Sequence, residues 1–120
     1  MGWSEDKIQE IWNKGFTVEN YDPAKYRKDT CGAWIMRDHH GDDNHDYGWE
    51  VDHILPVSKG GGDQLDNLRP LHHRNNASKG DGYPHYNAVV TSEGTLNVSK
   101  EKSMTVAESI QQKIKQLYLK

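Results

Sequence analysis

Trp49-Glu50-Val51-Asp52-His53-Ile54-Leu55-Pro56-Val57-Ser58-Lys59-Gly60-Gly61, then Asp66-Asn67-Leu68, then Leu71-His72-His73-Arg74-Asn75-Asn76-Ala77-Ser78-Lys79-Gly80-Asp81 is where the polar residues of this chain crowd together in order. Residues 48–52 alternate and favour β-structure, which predicts a strand. A turn-rich stretch with Gly60-Gly61-Gly62-Asp63 at its tip follows. Leu68–Leu71 reads as a second short strand, with Pro70 near its end or on an edge. His72 to Lys79 can form two helical turns, which Gly80 and Gly82 end. Asp52 and His53 are neighbours, so in a regular strand they point to opposite faces. For both to serve one site, the chain must leave strand geometry at His53, and the proline and glycine loop permits that. His72, Asn76 and Lys79 follow an i, i+4, i+7 spacing and share one helical face. A strand carrying Asp and His, closed over by a helix carrying Asn and Lys, makes a cage for one divalent cation and one phosphate.

Working outward, Ser4 is an N-cap, with Glu5 and Asp6 where a helix dipole favours negative charge. Ile8, Ile11 and Trp12 then fall on one face, and Gly15 sits where a C′ glycine belongs, so a helix is expected over about residues 5–14. Residues 21–34 read as loop and turn, with a short strand at 33–36. Residues 38–47 are polar without periodicity and read as a surface loop. Towards the C-terminus, residues 86–91 and 95–99 flank Ser92-Glu93-Gly94 as a hairpin. Thr105 and Glu108 match a capping box, and Val106, Ile110, Ile114 and Leu117 form an apolar stripe, predicting a helix over about 106–118. Lys113, Lys115 and Lys120 lie away from that stripe, either as a solvated face or as a phosphate-contacting one.

Composition narrows the class. In 120 residues, Leu, Ile, Val and Phe number 21, while the net charge is −3 and the mean hydropathy is −1.00. So thin an aliphatic content is one half of the signature of disorder, but the other half, a high net charge, is missing. Four Trp and six Tyr bury large areas along with a polar handle. The expectation is one domain over residues 1–120 with a small core. No apolar run approaches a membrane span of roughly 20 residues, the acidic N-terminus does not read as a signal peptide, and a single cysteine suits a reducing, cytoplasmic setting. A pI near 6.1 argues against a generic nucleic-acid coat but not against a protein that grips a few phosphates.

The central segment resembles the HNH endonuclease motif, in a small free-standing form without zinc. The resemblance rests on Asp52-His53, Gly60-Gly61, Asn67-Leu68, Asn76 and Lys79, in order and at matching spacing, with a lead-in at residues 26–35. It implies a ββα-metal core at about residues 48–82, and with the N- and C-terminal helices and the C-terminal hairpin read above, the expected fold is α+β. It further implies a metal-dependent DNA endonuclease that leaves 5′-phosphate and 3′-hydroxyl ends. His53 would be the general base, imidazole being suited to this by its near-neutral pKa. Asp52 and Asn76 would hold one Mg²⁺ or Mn²⁺ through oxygen. Asn67 would pin the loop that orients His53, and Arg74 and Lys79 would contact DNA phosphates. Taken singly, each has a plainer reading: an ordinary histidine, a turn asparagine, a solvated helix-end lysine.

Two departures from the family pattern matter. Where many members hold a structural zinc, this chain has Cys31, Trp34, His72 and Asn75, too few good ligands for a four-coordinate site, so no structural zinc is expected. That frees His72 as an accessory metal ligand or phosphate contact. The second departure is Asn76 where others carry His, which favours Mg²⁺. Residues 38–52 hold six carboxylates and no Lys or Arg, with His39, His40 and His45 among them, so a His/Asp-rich metal-binding protein is one rival reading. A catalytically silent DNA-binding module is another. With no separate recognition domain visible, such a chain cuts with little preference, works as a homodimer or relies on a targeting partner.

Overall fold

The computed structural model describes residues 2–119. Helix α1 spans Glu5–Trp12, and Ser4 caps it by accepting the Lys7 N–H at 3.1 Å, as the sequence predicts. Its buried face is Ile8, Ile11 and Trp12. Gly15 is not the left-handed C′ residue expected of it. Asn13 is the C-cap, and Gly15 is small because Trp12 O and the Arg27 side chain crowd it. Strands β1 (Tyr26–Lys28) and β2 (Trp34–Met36) form a short antiparallel ribbon. Three residues reading Tyr-Arg-Lys show no alternation, which is why β1 does not stand out in the sequence.

The central hairpin pairs β3 (Trp49–His53) with β4 (Leu68–His72), antiparallel, in the register Trp49↔His72 to His53↔Leu68. Helix α2 (His73–Lys79) follows at once, with His72 as its N-cap rather than its first turn. One face of the hairpin packs on α1 through Trp12, Ile35, Trp49 and Leu68. A second cluster on Leu71, Ile54 and Leu55 takes in Tyr86, Val106 and Ile114. The limited aliphatic content is thus divided into two small cores separated by one two-stranded sheet.

Strands β5 (His85–Glu93) and β6 (Leu96–Thr105) form the expected hairpin, longer than predicted, with a bulge between Ala88 and Val90. The turn uses Gly94 at φ +58°. Helix α3 spans Glu108–Tyr118 and starts later than the capping box predicts. Thr105 is still in β6, and its hydroxyl is taken by His85 Nδ1 at 2.9 Å, so Ala107 caps the helix with no side-chain bond. Val106 and Ile114 are buried, but Leu117 is exposed, and Tyr118 packs in its place. No helix among the described residues is long and apolar enough to cross a membrane.

Candidate active site

Strand pairing continues through His53, opposite Leu68, so the chain does not leave strand geometry where the shared-cage expectation requires it to. Asp52 and His53 therefore lie on opposite faces of β3. Asp52 faces α2 and the β5–β6 hairpin. Its carboxylate is only 4 % exposed and both oxygens are engaged, Oδ1 with Lys79 Nζ at 3.1 Å and Oδ2 with Arg69 Nε at 2.8 Å. Lys79 also donates to His53 O at 3.1 Å and has no exposed side-chain surface. Burial pulls its ammonium below the ordinary lysine range, against the pull of Asp52. The expectation of Lys79 as a phosphate contact is corrected on this ground: it is the internal counter-ion of Asp52.

The same geometry tests the metal reading. A carboxylate and an amide, Asp52 and Asn76, are donors of the kind that hold Mg²⁺. Here, however, Asp52 has both oxygens on cations, and the ammonium next to it already neutralises the charge that would attract an ion. The arrangement does not fit a divalent cation unless Lys79 is displaced. Asn76 is half-buried, one turn before Lys79 on α2.

His53 has a different environment. Its side chain is 23 % exposed, and Nε2 lies 2.7 Å from Oδ1 of Asp63 at the glycine-rich loop tip. The Trp3 ring stands tilted against the imidazole at 5.8 Å. No partner of Nδ1 occurs among the described residues. Asn67, fully buried, closes the loop that carries Asp63. Its Oδ1 accepts from Leu55 N at 2.8 Å, and Nδ2 donates to Leu55 O at 3.1 Å and Gly62 O at 2.9 Å. Gly61 passes so near this knot that a Cβ would fall 1.8 Å from Leu55 O, so glycine is required there by close approach.

His72 is corrected as an accessory ligand or phosphate contact. It is buried, its Nδ1 accepts from Arg74 N at 3.1 Å, and Nε2 bonds Asp46 O at 2.8 Å, so neither ring nitrogen is left over. Burial pushes its pKa down to about 4. Arg74 is exposed at the start of α2, its guanidinium on Ser99 Oγ at 3.1 Å.

Around Cys31, His72 and Asn75, three of the four positions weighed above for a structural zinc, a buried carboxylate ties the elements together. Asp29 Oδ1 accepts from Cys31 N and Ala33 N, both at 2.9 Å. Its Oδ2 accepts from His72 N at 2.9 Å and Asn75 Nδ2 at 3.1 Å. Asn75 Oδ1 in turn accepts both Val89 N and Val90 N, the amides that the β5 bulge frees. Asp29, Asp63 and Arg69 are the residues that sequence reasoning missed. Their partners are remote in the chain, and no local pattern marks them.

In the acidic loop, His39 stacks on His45 at 3.5 Å, and His45 Nδ1 accepts from Tyr47 N at 3.0 Å. The loop's histidines are used in holding its own shape. Burial and Asp43 beside it push Glu50 up to about 7.

A two-stranded hairpin closed by a short helix, with a histidine at the end of its first strand, defines the ββα class of nucleases. Residues 37–82 match the HNH endonuclease family, which supports reading that segment as an HNH unit. No curated protein and no solved structure matches the chain.

Proposed function

We propose that this chain hydrolyses phosphodiester bonds in DNA with His53 as general base. The observation that carries the reading is the state of that imidazole: part-exposed at a strand end, one nitrogen held by Asp63 and the other without a partner among the described residues. With Nε2–H donated to the carboxylate, Nδ1 carries the lone pair and takes the proton of a water as its oxygen attacks phosphorus. Asp63 then faces the imidazolium that forms, the role a carboxylate plays behind the histidine of a hydrolytic triad. The bond to the 3′ oxygen breaks, leaving a 5′-phosphate and a 3′-hydroxyl. Asn67 acts through the loop as a positioning residue, and Arg74 is the exposed cation nearest the start of α2 for a phosphate. Asp52 and Asn76 would take a Mg²⁺ or Mn²⁺ only with Lys79 displaced, so the proposal rests on His53, and metal dependence is a matter of measurement.

The test is supercoiled plasmid incubated with Mg²⁺, Mn²⁺ or EDTA, for the native chain and His53→Ala. Nicking that falls by about a hundredfold or more in the variant, the lower range of a general base's contribution, supports the reading. Equal cutting by both would remove His53 from the chemistry, and a retarded but uncut plasmid would identify a binding module.

A further inference from the structure

A cavity of about 160 Å³ opens beside β4, its lining without His53, and three cations from three separate parts of the chain line it: Lys14 just beyond α1, Arg69 on β4 and Lys113 on α3. Two carboxylates share the lining, Asp66 and Asp29, and the oxygens of Asp29 are already taken by the N–H groups of Cys31, Ala33, His72 and Asn75. Lys14 Nζ donates to Leu65 O at 2.7 Å and also to Leu68 O, which leaves one of its three N–H donors over. Arg69 engages Asp52 through Nε, while its Nη2 is buried without a hydrogen-bond partner among the described residues. Lys113 is exposed and forms no ion pair among the described residues. Burial pulls Lys14 below the ordinary lysine range; Asp66 opposes this, and Arg69 and Lys113 add to it. Gathering three cations around a hollow against one carboxylate not already bonded is unfavourable until an anion fills it.

The lining also includes Phe16, 60 % exposed. A small inorganic anion has no use for an aromatic ring beside the cations, whereas a nucleotide presents a phosphate and a flat apolar face together. We infer that this cavity binds a backbone phosphate of a nucleic-acid strand, with Phe16 packed on the adjoining nucleotide. It is a second contact, on cations other than Arg74. The choice of nucleic acid as ligand rests on the nuclease reading, but the site's own test needs no cleavage.

Binding of a fluorescein-labelled 16-base-pair duplex and of its single strand is measured by anisotropy in EDTA over a series of salt concentrations. Lys113→Glu is compared with Lys115→Glu, which makes the same charge change on α3 but lines no part of the cavity. The expected result is binding weakened about tenfold by Lys113→Glu, with the salt slope reduced by about one. Lys115→Glu changes affinity by less than about threefold, and Phe16→Ala weakens single-strand binding by about fivefold or more. Circular dichroism and melting checks that each variant folds. Equal effects of Lys113→Glu and Lys115→Glu, an unchanged salt slope, or no binding by the native chain would overturn the site. The two readings fail separately. Binding through Lys113 without cutting under any ion sinks the nuclease and leaves the cavity, while His53-dependent cutting with the two lysine variants alike does the reverse.

Discussion

The imidazole of His53 is held by one side chain among the described residues, and that contact sets which nitrogen is left to accept a proton. A carboxylate at 2.7 Å from Nε2 favours the tautomer with its proton there and leaves Nδ1 to accept. Asp63→Ala is therefore expected to lower single-turnover cleavage by roughly tenfold to a hundredfold, the range seen when a partner that orients a histidine is removed. DNA affinity in EDTA should be unchanged. Asp63→Asn keeps an oxygen that can accept Nε2–H and should retain more activity than the alanine variant. Cleavage equal to the native rate in Asp63→Ala would show that the loop does not orient the base. The position of His53 at a strand end and the loop-closing bonds of Asn67 were legible from the order of motif residues. Asp63 was not, because a glycine-rich tip reads as a turn whatever follows it. The contact exists only once Asn67 has folded the loop back by its bonds to Leu55 and Gly62.

Elements here are joined by buried polar ties rather than by aliphatic packing. Asp52 links β3 to β4 through Arg69 and to α2 through Lys79. Breaking such a pair by removing one member leaves an uncompensated buried charge and costs about 3–5 kcal/mol. Asp52→Asn should lower the stability measured by urea unfolding by an amount of that order. Adding Lys79→Met to it should recover part of the loss, since the stranded ammonium goes too. If Asp52→Asn unfolds at the native urea concentration, the carboxylate is not a structural keystone. Asp29 ties the β1–β2 turn to the start of α2 with four N–H donors. Asp29→Ala strands those donors, each buried unsatisfied group costing about 1–3 kcal/mol. We expect a folded yield near zero, or a melting temperature far below the native one, by circular dichroism. Helices α1 and α3 and the central strands were legible because apolar periodicity is local. The start of α3 was not, because Thr105 serves a strand pairing with His85 that no capping motif reveals. Asp52 looked like a ligand because the motif places it there, and the two cations that hold it come from β4 and α2.

For the whole molecule, two small cores and several buried polar groups make stability sensitive to pH in a direction that can be worked out. His72 sits in the interior as the neutral N-cap of α2, with burial holding its pKa down to about 4, against about 6.5 in an unfolded chain. Between these values the unfolded state binds more protons than the folded one, so stability falls as pH falls. This contribution is fully present above about pH 6.5 and is lost progressively as the pH drops towards 4. Glu50 acts in the opposite sense: its pKa raised to about 7 supplies stability present below the ordinary glutamate range and lost as the pH rises through 7. The net slope of the native chain therefore mixes the two, and the difference from a variant isolates His72. Asn is a good N-cap that does not titrate, so His72→Asn preserves the cap of α2 and removes the proton. Urea midpoints followed by tryptophan fluorescence at pH 7, 6 and 5 should drop more steeply in the native chain than in His72→Asn, the gap widening at each step down. Parallel curves would mean that the imidazole finds water in the folded state, and would undo the assignment of His72 to the interior of the β4–α2 junction.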